Sequence, residues 1–335
     1  MPTDNPELSV VAVGASAGGV EALKEFVAGL PPDLPYAVLV VLHVPARAPS
    51  VLARILARES ALPTAEAKDG EPMQSGTIRV ATPNRHLLVD DHRIVLSEGP
   101  TENGHRPAVN ALFRSVALTF GPRAVSVLLS GVLDDGTLGS AAIRSRGGIT
   151  IAQLPGEALF PAMPLNAIEA GVVDHQVSAR EVGSLLKNLA GRDFEEREME
   201  PDPSMQLENR IAMAGRFSTE IDADALGPPS GYTCPDCNGS LIAVSEGNYR
   251  CRVGHAWTAD ALLRARDDEV ENALWTAIRS LQEKAKLSRR LADQANPGSI
   301  SDRYDAIARE AEHATAVLGD HLAQVYAGHK APHDE

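Results

Sequence analysis

The stretch Val10-Val11-Ala12-Val13-Gly14-Ala15-Ser16-Ala17-Gly18-Gly19 is an aliphatic run that ends in a glycine-rich turn. Apolar side chains follow at Val20, Leu23, Val27 and Leu30, which is helical spacing. Strand, glycine turn and helix in this order admit three readings. The turn can cradle a phosphate, because glycines let the backbone approach closely and a helix start offers free N–H groups. The same residues spell Gly14-x-Ser16-x-Gly18, the sharp turn that presents a nucleophilic serine at the edge of a sheet. Its N–H donors then face an oxyanion. The third reading is a tight turn with no chemistry.

The neighbouring strand bears on the choice. Ala37–Leu42 is a second aliphatic run, and it leads into His43-Val44-Pro45. A nicotinamide site calls for an acidic residue there, to hold the ribose hydroxyls. A short-chain dehydrogenase also needs a Tyr-x-x-x-Lys pair within the α/β region, and the pair present, Tyr326 with Lys330, stands at the far end of the chain. A lone histidine is most often a core or capping residue. Beside a Gly-x-Ser-x-Gly serine at the same sheet edge, it becomes a candidate base. A third run, Ala124–Leu129, ends in Ser130-Gly131-Val132-Leu133-Asp134-Asp135-Gly136. The crevice of an open α/β sheet lies at the carboxyl ends of its strands, so Ser16, His43 and one of Asp134 or Asp135 are expected to converge. Such a set transfers acyl groups: the serine attacks, the histidine takes its proton, and the carboxylate orients the imidazole. The competing reading of the aspartates is an Asp-Gly turn that caps the helix starting near Leu138.

Strand and helix alternate through the first half of the chain. Val51–Leu56 opens a helical stretch, Leu138–Arg146 reads as a helix and Ile149–Gln153 as a strand. Thr77–Ala81, His86–Val89 and Arg93–Leu96 are short strands, the last two joined as a hairpin at Asp90-Asp91-His92. This predicts a mostly parallel, doubly wound α/β sheet with a hairpin insertion. From Gly191 to Ser230 the chain is rich in charge and proline and reads as a linker. Two helical stretches, Thr258 to about Ala295 and Ser301–Ala327, flank Pro297-Gly298 and predict an α-helical hairpin. An amphipathic hairpin of this kind packs on itself or on a second copy, or docks on a helical partner.

Between linker and hairpin lie Cys234-Pro235-Asp236-Cys237 and Cys251-Arg252-Val253-Gly254-His255. Three cysteines and one histidine in two close pairs match a tetrahedral Cys3His zinc site. Four protein ligands leave no open position, so the metal is expected to be structural. Reduced, unliganded cysteines in a small β-hairpin are the alternative.

The 335 residues carry 31 Lys and Arg against 45 Asp and Glu, a net charge of −14. This argues against nucleic acid as a partner, a common role of zinc modules, and against a polybasic membrane anchor. Three cysteines are too few, and odd in number, for a disulfide scaffold. Residues 1–6 lack a signal-peptide pattern, and the Ala37–Leu42 run is too short to span a bilayer. A soluble cytoplasmic protein is expected.

Taken together, Gly14 to Gly19, the strand ending in His43, Leu129 to Gly136 and Thr150-Ile151-Ala152-Gln153 resemble the catalytic domain of CheB, the chemotaxis protein-glutamate methylesterase. Asp69-Gly70-Glu71, His105-Arg106-Pro107 and Met163-Pro164 add to the likeness, which runs in order from about Val10 to Leu189. The resemblance implies Ser16 as nucleophile, His43 as base, Asp135 as orienting carboxylate, and backbone oxyanion donors at Ala17 and Val132. It implies no cofactor for catalysis. The substrate would be methyl-esterified glutamate on the helical cytoplasmic part of a methyl-accepting chemoreceptor, with glutamine deamidation as a second activity. A CheR-type methyltransferase is an implied partner, and the hairpin could support a homodimer. The zinc and helical tail is similar to extensions of receiver-less family members.

Three departures stand out. Ala17 replaces the usual Thr or Ser, and Val132-Leu133-Asp134 replaces Met-Gly-Asn. A second carboxylate at Asp134 is expected to raise one of the two aspartate pKa values. With the first strand starting by Leu8, no N-terminal phospho-receiver domain is expected. The expected organisation is a methylesterase domain at residues 7–190, a linker at 191–230, a Cys3His zinc module at 231–257 and a helical hairpin at 258–328. The rival to an esterase is a catalytically weak adaptor of the same fold that binds receptor or signalling helices.

Overall fold

The computed structural model describes residues 8–191, 202–213 and 227–329. The N-terminal segment read for a signal peptide, most of the expected linker, and Lys330 lie outside the described residues. Two compact units emerge, Met1–Leu262 and Leu263–Glu335.

The first unit opens with β1 (Ser9–Ala15), α1 (Gly19–Ala28), β2 (Tyr36–Leu42), α2 (Leu52–Leu56), β3 (Thr64–Glu66) and β4 (Thr77–Val80). A hairpin follows, β5 (His86–Asp90) and β6 (Arg93–Ser97), then α3 (Val109–Phe120), β7 (Ala124–Leu128), α4 (Thr137–Ser145) and β8 (Ile149–Gln153). The series closes with α5 (Ala162–Glu169), β9 (His175–Val177) and α6 (Val182–Leu189). Seven strands form one sheet in the order β3-β4-β2-β1-β7-β8-β9. Every neighbouring pair is parallel.

Period-two alternation builds a core on each face. Val11, Val13 and Ala15 of β1 point to one side with Leu23, Phe26 and Val27 of α1. Val10 and Ala12 point to the other with Leu112, Phe113 and Val116 of α3. Each large side chain buried this way contributes roughly 1.5–3 kcal/mol. Strand β1 pairs with β2 on one side and β7 on the other. The chain therefore leaves β1 in one direction and returns on its opposite flank, which opens a crevice at the carboxyl ends of these three strands.

The hairpin turns through Asp91 and His92, both at positive φ (43° and 58°), the geometry that matches strand twist in a two-residue loop. The short strand read at Thr77–Ala81 is β4, which joins the main sheet beside β2. Inside the expected linker stands α7 (Pro203–Met213), whose Ile211 and Ala212 are buried. Asp202 caps it by accepting the Met205 N–H (2.9 Å), and Pro203 occupies the first helical position. The helix is short and buries only Asn209, Ile211 and Ala212, so no sustained apolar period marks it in the sequence.

The Cys/His segment belongs to the same unit. It forms β10 (Pro229–Thr233), β11 (Ser240–Ser245), β12 (Asn248–Cys251) and β13 (Ala256–Thr258), an antiparallel sheet in chain order. Next come α8 (Ala259–Gln294) and α9 (Ser299–His329). Within the second unit these helices are tied by Arg289, paired with Asp305 and Glu312, and by the Ser301 hydroxyl, which donates to Ala292 O. Ile278, Ala285 and Ala292 are buried at heptad spacing on α8, and Ala308, Ala311 and Leu322 are buried on α9.

Candidate active site

Ser16 directly follows β1, and its N–H donates to Ser130 O (2.9 Å) beyond β7. The chain then turns through Gly18 at φ 67°, a left-handed conformation that glycine adopts without strain. A side chain there would also strike Ser130 Oγ at 2.7 Å. Gly131 must stay bare for a different reason: a Cβ would meet Met163 Sδ at 1.9 Å and Ser16 Cβ at 3.0 Å. The loop after β7 is thus pressed against the serine. Gln153 at the end of β8 supports it by accepting the Ser130 N–H (2.8 Å), while the Ser130 hydroxyl donates to Ala17 O (2.8 Å).

His43 follows β2, anchored by its N–H to Ala15 O (3.1 Å). Its Nδ1 lies 3.2 Å from Ser16 Oγ and its Nε2 lies 2.7 Å from Asp135 Oδ2. The ring nitrogens therefore serve in the reverse sense to the familiar serine protease triad, where Nε2 faces the serine. The arrangement can do the same chemistry: with Nε2–H donating to the carboxylate, the Nδ1 lone pair is left to accept the serine proton.

Asp135 is 2% exposed. Its carboxylate also accepts the N–H groups of Val109 (2.8 Å) and Asn110 (3.1 Å), at the start of α3. A helix N-terminus stabilises negative charge in this position. Burial works to raise its pKa, but His43 and the Val109 N–H outweigh it and hold the carboxyl below its ordinary value. The Asn110 side chain fixes the following turn by accepting from the N–H groups of Gly136 (2.9 Å) and Gly139 (2.7 Å).

Asp134 faces away from the triad and accepts from the Thr258 hydroxyl (2.9 Å). Burial pushes its pKa up to about 6 against that hydrogen bond, and the charges of Asp135 and Asp260 add to the rise. Leu133 takes φ 60°, a conformation that suits the glycine usual in the resembled family better than leucine.

The N–H groups of Ala17 and Val132 have no protein acceptor among the described residues, so both remain available as donors. An open cleft of about 320 Å³ starts at Ser16 and His43 and is lined further by Asn84, Thr101, His105 and Arg106. His105 lies over His43 with ring centroids 3.8 Å apart and planes within 11°. Burial, together with the neighbouring His43, lowers the His105 pKa to about 4.

Sequence reasoning quoted His105 within a motif but gave it no role. It missed α3 altogether, whose N-terminus holds Asp135. Ten of the twelve α3 residues are buried, the polar Asn110, Arg114 and Ser115 among them, so its polar side is not a solvent-facing one.

Cys234, Cys237, Cys251 and His255 also converge, with all four ligand atoms within 4.8 Å of one another. The contacts are 3.7 Å for Cys237 Sγ to Cys251 Sγ, and 3.6 Å and 3.4 Å for His255 Nδ1 to Cys234 and Cys251 Sγ. A tetrahedral ion with bonds of about 2.3 Å to sulfur and about 2.05 Å to nitrogen demands edges of about 3.8 Å and 3.5 Å. The residues therefore fit a four-coordinate metal with no open position.

Residues 11–186 match the family model described as CheB methylesterase. Among curated proteins, the chain is 37% identical over 188 residues to protein-glutamate methylesterase/protein-glutamine glutaminase 4 of Anaeromyxobacter dehalogenans, covering 55% of this chain and 52% of that protein. It is 37% identical over 191 residues to the protein of that name from Geobacillus kaustophilus, covering 56% and 55%. The chain thus spans about half the length of the curated relatives it matches. The crystal structure of the Thermotoga maritima CheB methylesterase catalytic domain superposes with a TM-score of 0.51 at 29% identity, covering 54% of this chain and 98% of that one. A match over more than half of the sequence makes this chain a member of the CheB methylesterase family.

Proposed function

We propose that the protein hydrolyses glutamate methyl esters on the cytoplasmic helices of a methyl-accepting chemoreceptor. The observation that carries this reading is the line from Ser16 Oγ through His43 to Asp135, in a chain of this family. Ser16 Oγ attacks the ester carbonyl while its proton passes to His43 Nδ1. Asp135 holds the Nε2–H and stabilises the imidazolium. The N–H groups of Ala17 and Val132 receive the developing oxyanion. The tetrahedral intermediate collapses, His43 returns the proton to the leaving oxygen, and methanol departs. Water then attacks acyl-Ser16 with His43 again as base, which releases glutamate and restores the serine. A glutamine side chain would lose ammonia in the same way, and the relatives' names support that second activity.

We assign residues 7–190 to the esterase domain, 231–257 to a module holding structural zinc, and 258–328 to a helical hairpin that pairs with a second copy or a helical partner. A CheR-type methyltransferase supplies the ester. No described helix is long and apolar enough to cross a membrane, and the cytoplasm, where the substrate helices lie, is the proposed site of action. Methanol release from methylated receptor, lost in Ser16→Ala, tests the reading; equal release by both proteins would refute it.

A further inference from the structure

The Cys/His sheet meets the α/β domain at the loop of residues 101–105, which carries His105, and also at Asp134, through the Thr258 hydroxyl of β13. Strand β13 is added to this loop: the Asn103 N–H donates to Ala256 O (2.8 Å) and the Ala256 N–H to Thr101 O (3.1 Å). Side chains extend the seam. The Thr258 N–H donates to Asn103 Oδ1 (2.9 Å), and the Thr101 hydroxyl donates to Asp236 Oδ2 (2.7 Å), between Cys234 and Cys237. The loop closes on itself through the Glu102 N–H to His105 O (3.2 Å) and the His105 N–H to Glu102 O (2.9 Å). That closure lays the His105 ring on His43.

Beneath the seam is a buried ionic cluster. Arg250, 2% exposed, immediately precedes Cys251. Its Nη1–H donates to Gly254 O (2.6 Å), inside the turn that joins Cys251 to His255. Its Nη2 lies 3.7 Å from carboxylate oxygens of both Glu102 and Glu208. Arg114 of α3 pairs with the same two glutamates. Two guanidinium groups and two carboxylates balance in charge. Such a cluster tolerates burial only while its geometry is kept, because displacing one member leaves an uncompensated charge. A shift of the Cys251–His255 turn is therefore transmitted through Arg250 to Glu102, and from Glu102 to His105.

We propose that the Cys/His module is a positioning element of the active site: metal held by Cys234, Cys237, Cys251 and His255 fixes the turn that seats Arg250, and Arg250 fixes the Glu102–His105 loop against His43. This inference rests on the hydrolase reading. Metal occupancy then sets the competence of His43 while Ser16, His43 and Asp135 remain intact. Arg250 and Asn103 act as positioning residues that touch no substrate.

The test uses the full chain, zinc-loaded or stripped by a chelator under reductant, with two readouts. One is the labelling rate of Ser16 by a fluorophosphonate. The other is the ring resonances of His43 and His105 in histidine-labelled protein. Stripping should slow labelling at least about tenfold and move the His105 resonance from its stacked position, and zinc should restore both. Arg250→Lys keeps all four ligands and should retain zinc while reproducing the slow labelling and the moved resonance; it decides the matter if the stripped protein unfolds. Unchanged labelling and resonances in both the stripped protein and Arg250→Lys would overturn the proposal. If zinc-loaded wild type does not label, the hydrolase reading fails, and the His105 resonance still decides whether the module positions the loop.

Discussion

The imidazole of His105 lies flat on that of His43, with 3.8 Å between centroids and 11° between planes. With its pKa lowered to about 4 by burial and the neighbouring His43, His105 is neutral near neutral pH, so it can confine His43 without repelling the imidazolium of the proposed mechanism. Contacts of this kind contribute about 0.5–1.5 kcal/mol. His105→Ala should lower kcat roughly threefold to tenfold with a smaller effect on KM, and His105→Phe should recover most of it. Equal losses in both variants would show that the ring's flat surface is not what matters.

Burial raises the Asp134 pKa to about 6, above the ordinary carboxylate value of 3.8. A folded-state pKa above the unfolded one favours the fold below about pH 4, and that contribution disappears as pH rises through about 6. At higher pH the ionised carboxylate is a burden of about 1–3 kcal/mol. Asp134→Asn keeps an acceptor for Thr258. It should match wild type in denaturant stability near pH 4 and exceed it by about 1–2 kcal/mol near pH 8. A difference that does not change with pH would contradict this.

Leu133 occupies a left-handed conformation at φ 60°. Leu133→Gly relieves that strain and loses side-chain contacts, and should fall within about 1 kcal/mol of wild type. Leu133→Val, β-branched, should cost about 1–2 kcal/mol in a urea titration. The opposite order would mean that packing, not backbone strain, governs this position.

Elemental analysis of freshly reduced protein should find one zinc per chain. Cys237→Ser removes the one exposed ligand and should lose the ion with least disturbance to the core. Zinc retained in that variant would place the ion elsewhere.

Much of the site was legible because Ser16, His43 and Asp135 each follow an aliphatic strand, and a parallel sheet brings such strand ends to one edge. The grouping of Cys234, Cys237, Cys251 and His255 was legible from pair spacing alone. What could not be read depends on distant partners. Thr258 meets Asp134 across 124 positions, and Arg250 meets Glu102 only through the docking of β13. The choice between the two aspartates needed the amides of α3, which meet Asp135 across 26 and 25 positions. The α7 helix announced itself only through Asp202-Pro203, a start signal set within charged, proline-containing sequence.

The most direct test of the central claim is mass spectrometry of a methylated chemoreceptor before and after exposure to the zinc-loaded protein and to Ser16→Ala. The account predicts that wild type converts methyl-glutamyl residues to glutamate, with methanol released in equal amount, and that the variant leaves the receptor unchanged. Methyl esters that survive wild-type treatment, or that are lost equally with Ser16→Ala, would contradict it.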